Sequence, residues 1–266
     1  MRFLLALTLV LAALPARADV VAWIDSLEVD AGAIEQLQQF ERDEGEWPKD
    51  TPGRLVVAFR QRIHYDVAQA LRRFDSGDIS EYVKVNFLSP EDFAKGRDET
   101  KDKRGRKFEE GVIRTEQVAF YPGVELSPIE ALETFVDPEF RKATTSRIEA
   151  LEEDGDLSCL RTGGVKGLMS PTWACNRVTY FATPTVSAEH SQVVSNPGDD
   201  DFQTIYFKES VKVFVATDAG LALFYINYTR GAKLGSLKKK LGRGRVEDSQ
   251  RERANALRSW LQEKTP

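Results

Sequence analysis

Apolar side chains at intervals of three and four residues predict helices in three parts of the chain, because this spacing places them on one helical face. The positions are Ile34, Leu37 and Phe40; then Ile63, Val67, Ala70, Leu71 and Phe74; and, after Asp248, Ala254, Leu257, Trp260 and Leu261. The second stretch ends at Arg72 and Arg73, whose positive charges suit the C-terminal end of a helix dipole.

Ser-Pro and Asp-Pro steps followed by acidic residues mark further helix starts. Segment 127–130 has a capping serine, a proline in the first helical position and a glutamate three residues after the cap. Segment 89–92 begins in the same way and predicts a shorter helix. A third start lies at 137–139, and the pattern after it predicts a helix that continues through Ile148 and Leu151 to Gly155.

Runs of β-branched and aromatic residues between turn residues predict strands. In chain order they are Leu55–Phe59, Tyr82–Phe87, Val112–Tyr121, Val178–Ala182, Phe202–Phe207, Val211–Ala216 and Leu221–Tyr228. Turns are predicted at Asn196–Asp199 and Thr217–Gly220. Connections this short favour antiparallel pairing of the later strands.

Helices and strands alternate in the first half of the chain, and strands cluster in the second. This order predicts an α+β fold, with a mixed α/β N-terminal half followed by a mainly antiparallel β-sheet and a C-terminal helix. A turn signal at Asp154-Gly155 separates residues 19–154 from residues 155–266. The two regions also fit a single domain, because no long linker joins them.

The first eighteen residues have the three-part layout of a secretory signal peptide. Arg2 precedes an apolar run at Leu4–Leu14, and Ala16-Arg17-Ala18 supplies small residues before Asp19. A retained membrane anchor is the alternative, but spanning a bilayer takes about 20 apolar residues. We therefore expect cleavage after Ala18, and a mature chain that is periplasmic or secreted and has no transmembrane span.

Two cysteines, Cys159 and Cys175, are the only ones in the chain. Export delivers them to an oxidising compartment, so the pair predicts a disulfide. It would close a segment rich in glycine that shows little pattern of regular structure. A metal site or a nucleophilic pair is the alternative, but further ligands are scarce because the chain has only His64 and His190.

Composition and motifs narrow the classes of function. The chain has 37 basic and 42 acidic residues, whereas nucleic-acid binders usually have a basic excess. It has no nucleophile elbow, zinc-protease motif, Walker loop or dinucleotide fingerprint. His190 and Ser191 would point to opposite faces of an extended segment and cannot pair. The acidic cluster Asp199–Asp201 fits an exposed turn better than a calcium site. No catalytic, cofactor-binding or metal-binding residue is therefore predicted.

The most distinctive charge feature is a basic stretch near the C-terminus. Its candidate contacts for an anionic partner are Lys238, Lys239, Lys240, Arg243 and Arg245. On a helix these residues could dock on lipid head groups or on an acidic protein. The alternative is an ordinary solvated face, which is favoured because Gly235, Gly242 and Gly244 limit any helix.

These observations favour an exported, non-enzymatic binding or interaction protein with a protein partner. Such a protein could be an envelope accessory factor or an inhibitor or immunity-type partner, and the bacterial periplasm is the expected location. One alternative is an envelope hydrolase that uses carboxylates. Another is a small-ligand carrier with a cavity between the C-terminal sheet and its helices. No cofactor and no nucleic-acid partner are expected.

Overall fold

The structure of the chain is a computed structural model that describes residues 19–28, 30–35, 51–88, 112–144, 148–163, 171–195, 205–231 and 236–264. Side chains at 51–57, 87–88, 205–207, 230–231, 236–242 and 264 are outside this description. The predictions made for Leu37, Phe40, segment 89–92, Asn196–Asp199 and Asp199–Asp201 also fall outside it.

Eight strands form one antiparallel sheet in the order β1-β2-β8-β7-β6-β5-β4-β3. The strands are β1 (Tyr82–Leu88), β2 (Val112–Pro122), β3 (Ile148–Asp154), β4 (Leu157–Thr162), β5 (Thr172–Ala182), β6 (Val186–Ser195), β7 (Ile205–Thr217) and β8 (Gly220–Gly231). Strand β2 pairs with β8 along its whole length, so strands from both halves of the chain belong to one sheet. The α+β prediction is confirmed.

Within the residues that the structure describes, six helices flank the sheet. They are α1 (19–26), α2 (31–35), α3 (Thr51–Asp75), α4 (Pro128–Val136), α5 (Pro138–Thr144) and α6 (Ser236–Lys264). The predicted start of α4 is confirmed: the Ser127 side chain accepts a hydrogen bond from the Glu130 backbone, and the Glu130 carboxylate accepts one from the Ser127 N–H. None of the described helices combines the length and apolarity that a membrane crossing requires.

The two faces of the sheet carry separate cores, because successive side chains of a strand point to opposite faces. On the face that we call the α3 face, Ala222, Phe224 and Ile226 of β8 pack with α1, α2 and α3. On the other, the α6 face, Leu221 and Leu223 of the same strand pack with α4, α5 and α6. Both faces of the central strands are therefore buried.

One predicted strand is a helix. Leu55–Phe59 lies inside α3 (Thr51–Asp75), so the strand prediction was wrong. Phe59, Ile63 and Val67 are all fully buried in the α3-face core, and this helical spacing continues the pattern predicted for residues 63–74. Packing of the whole helical stripe therefore outweighs the strand preference of five apolar residues.

A predicted helix is partly a strand. Helix α5 ends at Thr144, and Ile148–Asp154 forms β3, which pairs with β4. The helix prediction through Leu151 to Gly155 was therefore wrong. Gly155 has φ of 60° in the turn between the two strands, a conformation that glycine adopts at little cost. The turn signal at Asp154-Gly155 thus joins two paired strands.

The predicted turn at Thr217–Gly220 joins β7 and β8, and the structure confirms it. Gly220 has φ of 141°, and a Cβ atom there would lie 2.3 Å from the carbonyl oxygen of Tyr121. Only glycine fits this close approach. Strand β7 also unites two predicted strands, because pairing with β8 continues through the residues between them.

The C-terminal helix begins twelve residues before the predicted start at Asp248, since α6 runs from Ser236 to Lys264. It passes through Gly242 and Gly244, so the inference that these glycines limit a helix was wrong. A glycine within a helix costs only about 1 kcal/mol relative to alanine. Burial of Leu257 and Leu261 further along the helix can offset that cost.

Candidate functional site

A row of polar side chains crosses five neighbouring strands on the α6 face. Each member lies directly opposite the next in the register of the sheet; the members are Gln117 (β2), Tyr225 (β8), Lys212 (β7), Glu189 (β6) and Tyr180 (β5). Opposed residues of this kind have Cβ atoms about 5 Å apart. We call this set the α6-face row. The antiparallel register thus assembles groups that are far apart in sequence.

Most of the α6-face row is covered by the helices above it. The side-chain amide of Gln117 donates a hydrogen bond of 3.1 Å to the backbone carbonyl of Gln250 in α6. The Arg253 guanidinium lies 4.2 Å from the centre of the Phe135 ring of α4, and the Lys212 ammonium lies 5.1 Å from the same ring. At the other end of the row, Tyr180 is 55% exposed.

A small cavity lies where α4, α6 and the row meet. Its volume is about 10 Å³, enough for about one water molecule. The lining combines polar and apolar groups: Gln117, Phe135, Lys212, Leu223, Tyr225, Gln250, Arg253 and Ala254. Strand β7 contributes the cation Lys212 and helix α6 contributes Arg253. The positive charge of the cavity therefore arises from the packing of α6 on the sheet.

Positive charge exceeds negative charge around the cavity. Lys212 forms an ion pair with Glu189. The buried Nε of Arg253 has no hydrogen-bond partner, and Lys208 lies on the same face of β7. Within the part of the chain that the structure describes, neither Arg253 nor Lys208 forms an ion pair. Lys212 and Arg253 therefore line the cavity with positive charge, and Glu189 is the carboxylate that pairs with Lys212.

The pKa values show the electrostatic cost of this arrangement. Burial lowers the pKa of Arg253 and of Lys212, and it lowers the pKa of Lys208 to about 8. Burial alone would raise the pKa of Glu189, but the Lys212 ammonium outweighs it and holds that pKa below its usual value. The site therefore disfavours its cations and favours an anion.

The opposite face of the same strands carries a second polar row. Its members, again opposed in register, are Gln192 (β6), Glu209 (β7), Tyr228 (β8) and Arg114 (β2). We call it the α3-face row. Its charges are paired: Arg60 of α3 lies 2.8 Å from Glu209, and Arg114 lies 3.0 Å from Asp66 of α3. The Tyr228 hydroxyl donates to the same Asp66 carboxylate at 2.6 Å.

The two histidines of the chain lie on the α3 side of the molecule. His190 is buried, and its Nε2 is 2.8 Å from the Glu209 carboxylate. Its neighbour Ser191 faces the other side of the sheet, as the extended segment predicts. His64 is more exposed, and its Nδ1 lies 2.5 Å from Asp25. Neither histidine lines the cavity.

Cys159 and Cys175 lie opposite each other on β4 and β5. Their sulfur atoms are 2.00 Å apart and their Cα atoms 3.9 Å apart, which places the predicted pair within a disulfide. The residues between them were expected to show little regular structure. That expectation was wrong for 160–162 and 172–174, which belong to the paired strands β4 and β5.

The basic stretch predicted to meet an anionic partner lies in the first half of α6. Arg243 and Arg245 are exposed, while the side chains of Lys238, Lys239 and Lys240 are outside the described residues. This stretch is separate from the α6-face row. The sequence analysis missed every member of that row, and it also missed Arg253.

No family model matches the chain, and no curated protein matches it in sequence. Among solved structures, human StAR-related lipid transfer protein 5 is similar over 79% of this chain and 99% of its own, at 12% identity and a TM-score of 0.47. A STAR-related lipid transfer protein from Xanthomonas axonopodis covers 69% of this chain and 98% of its own, at 15% identity and a TM-score of 0.46. A START superfamily protein from Mycobacterium smegmatis is similar over 57% of this chain and 99% of its own, at 14% identity and a TM-score of 0.40. Similarity this low carries no conclusion about a ligand.

Proposed function

We propose that this chain is a non-enzymatic binding protein that holds a small ligand between the α6 face of the sheet and α6. One observation carries the proposal: the cavity there is lined by buried polar groups, and the Arg253 Nε has no partner. Leaving a buried polar group unpaired costs about 1–3 kcal/mol, and more if it is charged. A ligand that pairs with these groups would recover that cost.

The size of the cavity implies a movement of α6. A space for about one water cannot hold an organic ligand, so the covering helix has to shift. Leu257 and Leu261 are fully buried against the α4–α5 core and fix the C-terminal part of α6. Arg253 and Ala254 lie one turn earlier, above the cavity. We propose that this earlier part of α6 moves away from the sheet when the ligand enters.

The lining of the cavity supports binding more than catalysis. Among its described residues it contains amide, phenol, ammonium and guanidinium groups but no carboxylate or imidazole. Proton transfer in hydrolases usually relies on His, Asp or Glu within hydrogen-bond reach of the substrate. The small-ligand carrier therefore has more support than the carboxylate-dependent hydrolase.

Filling the cavity tests this proposal. Ala254→Trp should weaken binding of the uncharged fluorophore phenylnaphthylamine by about tenfold or more, which corresponds to about 1.4 kcal/mol. Gln262→Trp adds the same side chain at an exposed position of α6 and should leave binding unchanged. Ala254→Leu serves as a milder variant if the tryptophan prevents folding. Wild-type affinity in both Ala254 variants, with circular dichroism unchanged, would contradict the proposal.

A protein partner at the basic stretch is a second proposal. The exposed positions of Arg243 and Arg245 on α6 support it. Changing Lys238, Lys239 and Lys240 to glutamate should weaken association and reduce its salt dependence, because exposed charges are screened over about 8 Å. Affinity purification from the exporting cell would compare this variant with wild type. Equal recovery of every partner would exclude a role for the lysines.

We also propose that the chain is exported and acts in the periplasm or outside the cell. The fully buried Val20 and Ile24 of α1 support this cleavage position, because both core residues lie after Ala18 and stay in the mature chain. Intact-mass measurement of exported protein should find a chain that begins at Asp19. Recovery of the uncleaved chain in the membrane would contradict export.

A further inference from the structure

We infer that the ligand carries an anionic oxygen group, such as a carboxylate, a phosphate or a sulfonate, and that Arg253 and Lys212, which both line the cavity, bind this group. The inference rests on the proposed function, since it concerns the same cavity. It adds the chemical class of the ligand, which the presence of a cavity alone does not determine.

Charge balance is the first argument. Among the described residues around the cavity, Lys208, Lys212 and Arg253 are offset by Glu189 alone. Arg141, whose charge also acts on Glu189, lies 3.0 Å from Glu153. The whole chain has a net charge of −5, so the local positive excess does not reflect a basic composition. A buried ion without a counter-ion costs several kcal/mol, and an anionic ligand would offset part or all of this positive excess.

Geometry is the second argument. Arg253 and Lys212 both lie beside the Phe135 ring, at 4.2 Å and 5.1 Å from its centre. Both residues also line the cavity, so a ligand that enters it would meet both cations. Contact with the ring orients the guanidinium, while its Nε–H has no partner. A guanidinium offers two parallel donors that match the two oxygens of a carboxylate or phosphate.

The groups that face this site come from every element packed around it. Arg141 lies on α5, Glu189 on β6, Lys208 and Lys212 on β7, and Tyr225 on β8. Burial lowers the pKa of Lys208 to about 8, so raising the pH through this value removes one cation. Affinity for the anion should therefore fall above about pH 8, while binding of an uncharged ligand should not change.

The rest of the lining allows two sources for the anion. Phe135, Leu223 and Ala254 are apolar and would accept the body of an amphiphile that has an anionic head group. A free inorganic anion would use the polar groups alone. Both sources share the same oxyanion chemistry, and competition experiments separate them.

The test compares two fluorophores that differ by one charged group, anilinonaphthalene sulfonate and the uncharged phenylnaphthylamine. Wild type should bind the sulfonate about tenfold more tightly, and Arg253→Gln should abolish this preference. Arg251→Gln removes the same charge from an exposed position of α6 and should retain it. Lys208→Met provides a second variant if Arg253→Gln does not fold, and it should reduce the preference.

The outcomes separate this inference from the proposed function. Displacement of the sulfonate by inorganic phosphate supports a free anion, and displacement by oleate but not by phosphate supports an amphiphile. Equal affinity for both fluorophores in wild type would overturn the anion inference while leaving the cavity proposal intact. The anion inference would also be overturned if Arg253→Gln kept the preference for the sulfonate. The same holds if the control Arg251→Gln abolished that preference as well. Binding of neither fluorophore would contradict both.

Discussion

The central strands carry a polar row on each face, and the two rows differ in how their charges are paired. On the α3 face, Arg114 contacts both Asp66 and Glu116, at 3.0 Å and 2.7 Å. On the α6 face, Lys212 has Glu189, but Arg253 has no carboxylate partner among the described residues. The same strands therefore carry one row whose guanidiniums are all in ion pairs and another beside which the Arg253 guanidinium is not.

The difference separates a structural role from a binding role. On the α3 face each guanidinium of the network meets a carboxylate, although Nη2 of Arg60 and Oε2 of Glu209 have no hydrogen-bond partner. These ion pairs fix the position of α3 on the sheet. On the α6 face, a buried guanidinium without a carboxylate partner lowers the stability of the empty protein, and a bound anion would remove that cost. The pairing of charges in each row thus predicts how an anionic ligand changes the stability of its variants.

The largest effect on stability is expected from a substitution in the α3-face row. Arg114→Gln leaves Asp66 and Glu116 without their cation and should lower the free energy of unfolding by about 3–5 kcal/mol. Arg72→Gln, at an exposed position of α3, should change it by less than about 0.5 kcal/mol. Urea unfolding of both variants measures the difference. Similar stability of the two variants would contradict a structural role for this row.

A matched pair of carboxylate variants compares the rows directly. Glu189→Gln and Glu209→Gln each remove a buried carboxylate and should lower the free energy of unfolding by about 2–4 kcal/mol. An added anionic ligand should restore part of the loss in Glu189→Gln, because it binds the cations left there. It should restore nothing in Glu209→Gln. Thermal unfolding with and without oleate measures this recovery. Equal recovery in both variants would contradict the distinction between the α6-face row and the α3-face row.

The third prediction concerns pH. Folding lowers the pKa of Lys208 from 10.5 to about 8, so between these values the unfolded chain binds more protons than the folded one. Stability should therefore rise with pH across this window, by about 2 kcal/mol for this group. Lys208→Met should show a flatter profile in urea unfolding. Parallel profiles for wild type and variant would show that Lys208 does not titrate in this way.

The smallest effect is expected from the unpaired guanidinium itself. Arg253→Met keeps most of the side-chain volume and removes a buried charge, so it should raise the free energy of unfolding of the empty protein by about 1 kcal/mol. Arg251→Met should leave it unchanged. Differential scanning calorimetry can resolve the shift. A clear loss of stability in Arg253→Met would assign Arg253 a structural role.

The sequence predicted the elements better than it predicted the site. The strand Val211–Ala216 and the periodic face of α6 were evident from apolar spacing. The same alternation made Lys212 resemble an ordinary solvent-facing residue, because one polar position in two is typical of a half-exposed strand. Lys212 is covered because α4 and α6 pack on this face of the sheet. Arg253 likewise lies beside the predicted apolar positions of α6, so local sequence could not indicate that it is buried.

Helix and strand errors have a related cause. Leu55–Phe59 has the composition of a strand, but it lies in helix α3, where Phe59 continues the buried helical spacing of Ile63 and Val67. The register that opposes Gln117 to Tyr225 and Lys212 to Glu189 joins residues up to about a hundred positions apart. No local pattern contains that information.

The central claim is that Arg253 is the unpaired group that an anionic ligand completes. Nuclear magnetic resonance of arginine Nε–H groups tests it most directly, with the Arg253 signal assigned by its loss in Arg253→Gln. Titration with anilinonaphthalene sulfonate, which is expected to bind whether the ligand is an amphiphile or a free anion, should shift the Arg253 signal in a saturable way. The signals of Arg60 and Arg114, whose Nε atoms already donate to Glu209 and Asp66, should stay unchanged. An unchanged Arg253 signal, or equal shifts in all three, would contradict the account.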